Sequence, residues 1–322
     1  MNGETIVAAI TFRDVSTIAG MTSCRRNIMN VRFSALAVLV FALTLGGCAS
    51  TAKQDLQIDR SYTAVGQDSR VQYLIIHFTA EDFPRSLQIL TQGSVSSHYL
   101  VSDRQGDTPP KVYQLVDESR RAYHAGVSSW KGATALNASS IGIEIVNLGG
   151  RRGPNGLRFQ DFEPEQIDRV VELVKKIVAT HGIRPDRVLG HSDIAPTRKN
   201  DPGPKFPWKR LADEGLVLWP DAAAVAEKRA VFEQTLPSIK WFQEKLVQHG
   251  FALPATGEQD KLTTDVLSAF QQKYRPARYD GLPDAETAAL LHVLTSMVVT
   301  SAALPAPSAA RVQADPPDEH HH

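Results

Sequence analysis

Apolar residues recur along this chain with two different periods, and the switches between them outline the fold. The stretch VQYLIIHF, residues 71–78, is short, apolar and rich in β-formers, which predicts a buried strand. SHYLVS (97–102) and KVYQLV (111–116) read as further strands. SIGIEIVN (140–147) alternates, with Ile141, Ile143 and Ile145 on one face and Gly142, Glu144 and Val146 on the other. The period then lengthens. From about Pro164 to His181, the residues Ile167, Val170, Val171, Val174, Ile177 and Val178 make one stripe at helical spacing. Pro164 sits in the first turn of that helix and Gly182 stops it. A short strand, RVLG, then leads to His191. Strands interleaved with helices predict an α/β domain over 71–220, a mixed β-sheet flanked by helices.

Beyond it the pattern is helical only. PDAAAVAEKRAVFEQTLPS contains a partly helical linker, 221–235, before a small three-helix domain at 236–295. That domain repeats itself: GEQDKLTTDVL from Gly257 and GLPDAETAALL from Gly281 both follow Gly-x-x-Asp-x-x-Thr. Asp and Thr are turn and N-cap formers, so each copy predicts a loop entering a helix. The preceding helix, SIKWFQEKLVQHG, is expected to bury Ile239, Phe242, Leu246 and Val247 and to stop at Gly250. Residues 296–322 read as a disordered tail.

Composition narrows the function classes. The chain has 322 residues with 35 basic and 35 acidic side chains, so net charge offers no reason to expect nucleic acid. Specificity is expected from a local site. Residues 29–50 run from a basic residue through an apolar stretch, Phe33 to Leu45, to small residues and Cys48, the pattern of a secretory signal. The ending LGGC resembles the lipobox of bacterial lipoproteins, in which the Cys becomes the lipidated first residue of the mature protein. Ala49, where an Asp would retain such a protein at the inner membrane, implies the outer membrane, facing the periplasm. Residues 1–48 are then upstream sequence and signal, with Met29 or Met21 as the start, and 49–70 a polar tether. With Cys48 acylated and Cys24 removed, no thiol remains, so a metal would have to be held by His and carboxylates.

The chemistry gathers around HSDIAPTRKNDPGPKFPW, residues 191–208, whose four prolines exclude a regular ladder and predict a rigid loop. His77 closes one strand and His191 follows another, and strand ends that face the same way bring their next residues together. Asp201 lies ten residues after His191, far enough for the chain to curve back. Two His and one carboxylate are the ligands of a catalytic zinc with an open position for water. No H-E-x-x-H signature is present, so a hydrogen-bonded core or loop residue remains the other reading of each. Asp193 reads as a brace for the turn, and Arg198 has no assigned role. His181, His249 and His292 read as structural, and the three terminal His are left out of the site.

IIHFTA, SSHYLV, YHAGVSSW, IGIEIVN and HSDIAPTRKNDPGPKFPW, in this order, resemble the zinc-dependent N-acetylmuramoyl-L-alanine amidases of the type-2 amidase family. The resemblance covers about 71–220, while 236–295 resembles the type-1 peptidoglycan-binding module with its Phe270-Gln271 pair. It implies that His77, His191 and Asp201 bind Zn2+, that Glu144 is the general base and that Lys199 faces the developing oxyanion. It implies also that His124 lines the substrate groove. The expected reaction is hydrolysis of the amide between N-acetylmuramic acid, or its 1,6-anhydro form, and L-Ala of peptidoglycan stem peptides. The expected partners are peptidoglycan, muropeptides and, through Cys48, a membrane. A non-catalytic peptidoglycan receptor on the same fold is the alternative, but relatives without activity usually lack a ligand and all three are present here.

Overall fold

In the computed structural model, which describes residues 56–153 and 156–302, the first regular element is β1 (Tyr73–Phe78). Helix α1 (Phe83–Gln92) follows, started by Asp82, whose carboxylate accepts from the Arg85 N–H, and by Pro84 in its first turn. Strands β2 (Tyr99–Val101) and β3 (Val112–Gln114) come next, then the small hairpin β4 (Ser129–Trp130) and β5 (Ala133–Thr134). After β6 (Ser140–Ile145) a second hairpin pairs β7 (Gly150–Gly153) with β8 (Gly156–Phe159). Helix α2 (Pro164–His181), β9 (Val188–Gly190), the single turn α3 (His191–Ile194) and α4 (Trp208–Asp213) complete the α/β part. The rest is helical: α5 (Ala222–Gln234), α6 (Ile239–His249), α7 (Lys261–Tyr274) and α8 (Ala285–Ala302).

Five strands form one sheet in the order β3-β2-β6-β1-β9, parallel except for β3 at the edge. Parallel strands need both faces covered. On one face Leu74, Ile76 and the three Ile of β6 pack against Ile167, Val170, Val174 and Ile177 of α2, the stripe its spacing predicts. On the other, Tyr73, Ile75 and Leu189 share a continuous core with Phe242, Leu246, Val266, Phe270 and Leu291 of the C-terminal helices. The small domain is therefore built onto the sheet's second face rather than held at the end of a linker. The expected linker is itself helix α5, whose Phe232 meets the rings of Trp241 and His292.

The repeat extends further than its Gly-x-x-Asp-x-x-Thr pattern. Gln243 and Gln271, each following a buried Phe, accept from the N–H groups of Gly257 and Gly281 and donate to Thr263 and Thr287. Asp260 and Asp284 cap the two helices through the N–H groups of Thr263 and Thr287. Gln243 thus takes the buried place expected of Val247, which is exposed.

Two other expectations change. Helix α8 continues to Ala302, so the disordered tail does not begin at 296; residues beyond 302 lie outside the described residues. The proline-rich stretch opens with a helical turn, α3, because its first proline is Pro196 and the residues before it are free to coil. Helix α1 was not anticipated. The signal segment and Cys48 lie outside the described residues, and no described helix is long and apolar enough to cross a membrane.

Candidate active site

Strand alternation and register assemble the site. Along β1, Tyr73, Ile75 and His77 point to the face opposite Leu74 and Ile76. His77 is the register partner of Glu144 on β6, and Ile76 that of Gly190 on β9, so His191 emerges beside His77. Parallel strands end on the same side, so all three meet at the carboxyl edge of the sheet. Asp201 is returned to that edge by a backbone bond from Ser192 N–H to Asp201 O, 2.9 Å. The Asp201–Pro202 peptide is cis.

The three candidate ligand atoms converge closely. His77 Nδ1 lies 2.9 Å from His191 Nδ1 and 3.0 Å from Asp201 Oδ2, and His191 Nδ1 lies 3.1 Å from the same oxygen. All three residues are buried. Their outer hydrogen bonds determine the tautomers. Ser140 donates its hydroxyl to the Leu136 carbonyl (2.7 Å), so its oxygen accepts from His124 Nε2–H (3.2 Å). His124 Nδ1 is then bare and accepts from His77 Nε2–H (3.0 Å), which leaves His77 Nδ1 without a proton. On the other side His191 Nε2–H donates to the Ala125 carbonyl at 3.2 Å, again leaving Nδ1 bare. Two bare ring nitrogens and a carboxylate oxygen facing one another repel unless a cation lies among them. Their spacing is near the ~3.3 Å edge of a tetrahedron with roughly 2.0 Å bonds, so the donor set fits a small metal ion.

The glycine in SIGIEI has a steric cause. Ser140, Gly142 and Glu144 share the site face of β6, and a Cβ on Gly142 would lie 2.5 Å from the His124 ring. Two further groups hold the backbone around this network, and nothing in the sequence marked them. Asn137 Oδ1 accepts from the N–H groups of His124 (3.0 Å) and Ala125 (2.7 Å). Arg198 donates to the carbonyls of Ala125 (2.8 Å) and Val127 (2.6 Å), so Ala125 O serves both Arg198 and His191. Asp193 braces its turn as expected, accepting from Gly190 N–H at 2.8 Å.

Burial dominates the electrostatics. It pushes His77 down to about 4, helped by His191 and opposed by Asp201, so the ring is neutral at pH 7, the ligating form. His124 is pushed well below the ordinary imidazole range by burial and by His77, His98 and His191. Glu144 goes the other way. Burial and then Asp201 push it well above the ordinary carboxylate range against the pull of Lys199, and its Oε2 is buried with no hydrogen-bond partner.

Glu144, His191, Asp201, His124 and Lys199 line one cavity of about 370 Å3. Ile89 and Leu90 of α1 form its apolar wall, so the unanticipated helix shapes the site. Lys199 is exposed at the rim, on the loop between His191 and Asp201. His124 does reach the cavity wall, but both its ring nitrogens are committed, one to His77 and one to Ser140.

Residues 67–204 match the family described as N-acetylmuramoyl-L-alanine amidase, and 235–291 that described as a peptidoglycan binding domain. The chain is 41% identical over 261 residues to N-acetylmuramoyl-L-alanine amidase AmiD of Escherichia coli (strain K12), a match covering 79% of this chain and 94% of that protein. It is 37% identical over 101 residues to 1,6-anhydro-N-acetylmuramyl-L-alanine amidase AmpD of Enterobacter cloacae, covering 31% of this chain and 49% of that one. Among solved structures, AmpDh3 from Pseudomonas aeruginosa in complex with anhydromuramic pentapeptide aligns with a TM-score of 0.71 at 42% identity, over 76% of this chain and 99% of that one. AmiD from E. coli, in complex with anhydro-N-acetylmuramic acid-L-Ala-D-gamma-Glu-L-Lys, aligns at 0.69 and 39%, over 76% and 96%. Identity at this level over nearly the whole of a relative, on the same fold, goes beyond a shared architecture: this chain belongs to the type-2 N-acetylmuramoyl-L-alanine amidase family and carries a peptidoglycan-binding domain after the catalytic one.

Proposed function

We propose that His77, His191 and Asp201 hold a zinc ion and that the cavity hydrolyses the amide joining N-acetylmuramic acid, or its 1,6-anhydro form, to L-Ala of peptidoglycan stem peptides. One observation carries this reading. Three bare ligand atoms, on His77, His191 and Asp201, converge within 2.9–3.1 Å, and Glu144, whose buried Oε2 has no partner, lines the same cavity as His191 and Asp201. Zinc held there supplies Lewis acidity, which acidifies water and polarises a carbonyl. Glu144 Oε2 takes the proton of the attacking water and returns it to the leaving nitrogen. The Lys199 ammonium, on the rigid loop between His191 and Asp201, faces the oxyanion as charge develops. His124 and Ser140 keep the proton on His77 Nε2, and Ala125 O keeps it on His191 Nε2. The complexes of AmpDh3 and AmiD with anhydromuramyl peptides support that substrate class.

The reading extends to location. LGGC at 45–48, followed by Ala49, supports a lipid anchor on Cys48 in the outer membrane, with the wall-binding domain facing peptidoglycan in the periplasm.

The test is incubation of the chain from residue 49 onward with anhydro and intact muropeptides, side by side, followed by mass spectrometry. Release of an intact stem peptide, abolished by a chelator and restored by zinc, is the expected result. Binding without cleavage in excess zinc would reassign the chain as a peptidoglycan receptor.

A further inference from the structure

Asp193 sits two residues after one metal ligand and is buried to 2% exposure. A carboxylate in such a place needs a partner, because an uncompensated buried charge is costly. Its partner comes from the other domain. Lys273, in α7 of the peptidoglycan-binding domain, donates from Nζ to Asp193 Oδ2 at 2.8 Å, with both side chains almost fully buried. The same ammonium donates to the Val188 carbonyl at 3.2 Å and lies 4.3 Å from the centre of the Trp208 ring. These three contacts fall on β9, α3 and α4 of the catalytic domain, the elements that flank the metal loop.

The path to the metal site is short. Asp193 Oδ2 also accepts from Gly190 N–H, the residue before His191. Ser192 N–H, between His191 and Asp193, holds the Asp201 backbone. A Cβ on Gly190 would lie 2.7 Å from Pro202, so this turn also packs directly against the return of the loop. Displacement of the Asp193 carboxylate would therefore loosen both ends of the ligand loop together.

We propose that Lys273 is a positioning residue of the metal site, supplied by the peptidoglycan-binding domain, so that docking of that domain sets the metal affinity of the catalytic one. The inference rests on the metal reading of His77, His191 and Asp201. Its consequence is that the second domain does more than bind wall: beside the apolar core the two domains share, the buried Lys273–Asp193 pair ties it to the metal loop.

The test measures zinc affinity by competition with a chromogenic chelator on the full chain, and kcat and KM on a small muropeptide. The parent comes first: if it binds no zinc, the metal reading fails and this inference falls with it. If it binds, K273R, which keeps the charge and the donors, is expected within about twofold of the parent. K273M/D193N removes the pair without leaving a lone charge, so it is expected to fold and yet bind zinc about tenfold or more weakly, the usual effect of losing an outer-shell partner. At saturating zinc its KM should stay near the parent's. Parental zinc affinity in K273M/D193N overturns the proposal, whatever happens to the single variant K273M.

Discussion

His77 and Glu144 are register partners on adjacent parallel strands, β1 and β6, so the candidate ligand and the candidate base stand one strand spacing apart on the same face. The backbone itself holds them together, with no loop between. E144Q keeps the shape and the metal ligands but removes the proton acceptor. The expectation is a fall in kcat of about 10²- to 10⁴-fold with zinc content unchanged. Steady-state kinetics beside metal analysis checks this, and near-parental kcat would remove Glu144 from the proton transfer.

Lys199 is exposed on its loop, so its loss should not disturb folding. K199M is expected to lower kcat by about 10²- to 10³-fold, the size of one lost oxyanion donor. KM should change much less. A variant that raises KM alone would make Lys199 a substrate-binding group instead.

The His77–His124–Ser140 chain is directional, and Gly142 leaves room for it. G142A forces the His124 ring aside, with an expected cost of roughly 1–3 kcal/mol in stability from overpacking. Because His77 then loses its orienting partner, zinc affinity should fall by about 10- to 100-fold. Chemical denaturation and chelator competition measure the two effects. A stable G142A with parental affinity would show that the chain does not orient His77.

His249 gives a pH dependence unrelated to the reaction. It lies among the rings of Trp130, Phe251, Phe270 and Tyr274, its Nδ1 has no partner, and Lys273, Lys131 and Asp186 are the charges near it. Burial, then Lys273 and Lys131, push it down to about 3 from 6.5. Between those values the unfolded chain binds the extra proton and the folded one does not. Stability is therefore lost as pH falls from 6.5 towards 3, by up to about 1.4 kcal/mol per unit, and His249 adds nothing above that window. The difference between the parent and H249L in urea unfolding at pH 7 and pH 5 separates His249 from His77 and His124. Equal losses in the two proteins would sink the assignment.

Much of the site could be read before the structure, and the reasons are local. His77 closes an apolar strand and His191 follows another, and Asp201 comes ten residues on, past Pro196. Glu144 stands opposite three Ile in a period-two run, and so had to face away from the core. The roles of Ser140, Asn137 and Arg198 were not legible, because a Ser, an Asn and an Arg at such places have no periodicity that marks them. Val247 and Gln243 misled for a related reason. Helical spacing favoured the apolar residue, while the buried place went to the amide that holds Gly257 and Thr263.

By itself the sequence determined the main strands, the helix at 164–181, the irregular stretch from Pro196 and the internal repeat, because each follows from side-chain spacing and from glycine and proline placement along a few consecutive residues. Only the tertiary structure decided which atoms meet. The direction of the His77–His124 bond joins residues 47 positions apart, and the reach of Lys273 to Asp193 spans 80. Such contacts depend on the distance between elements once both faces of the sheet are covered, and no local pattern encodes that distance.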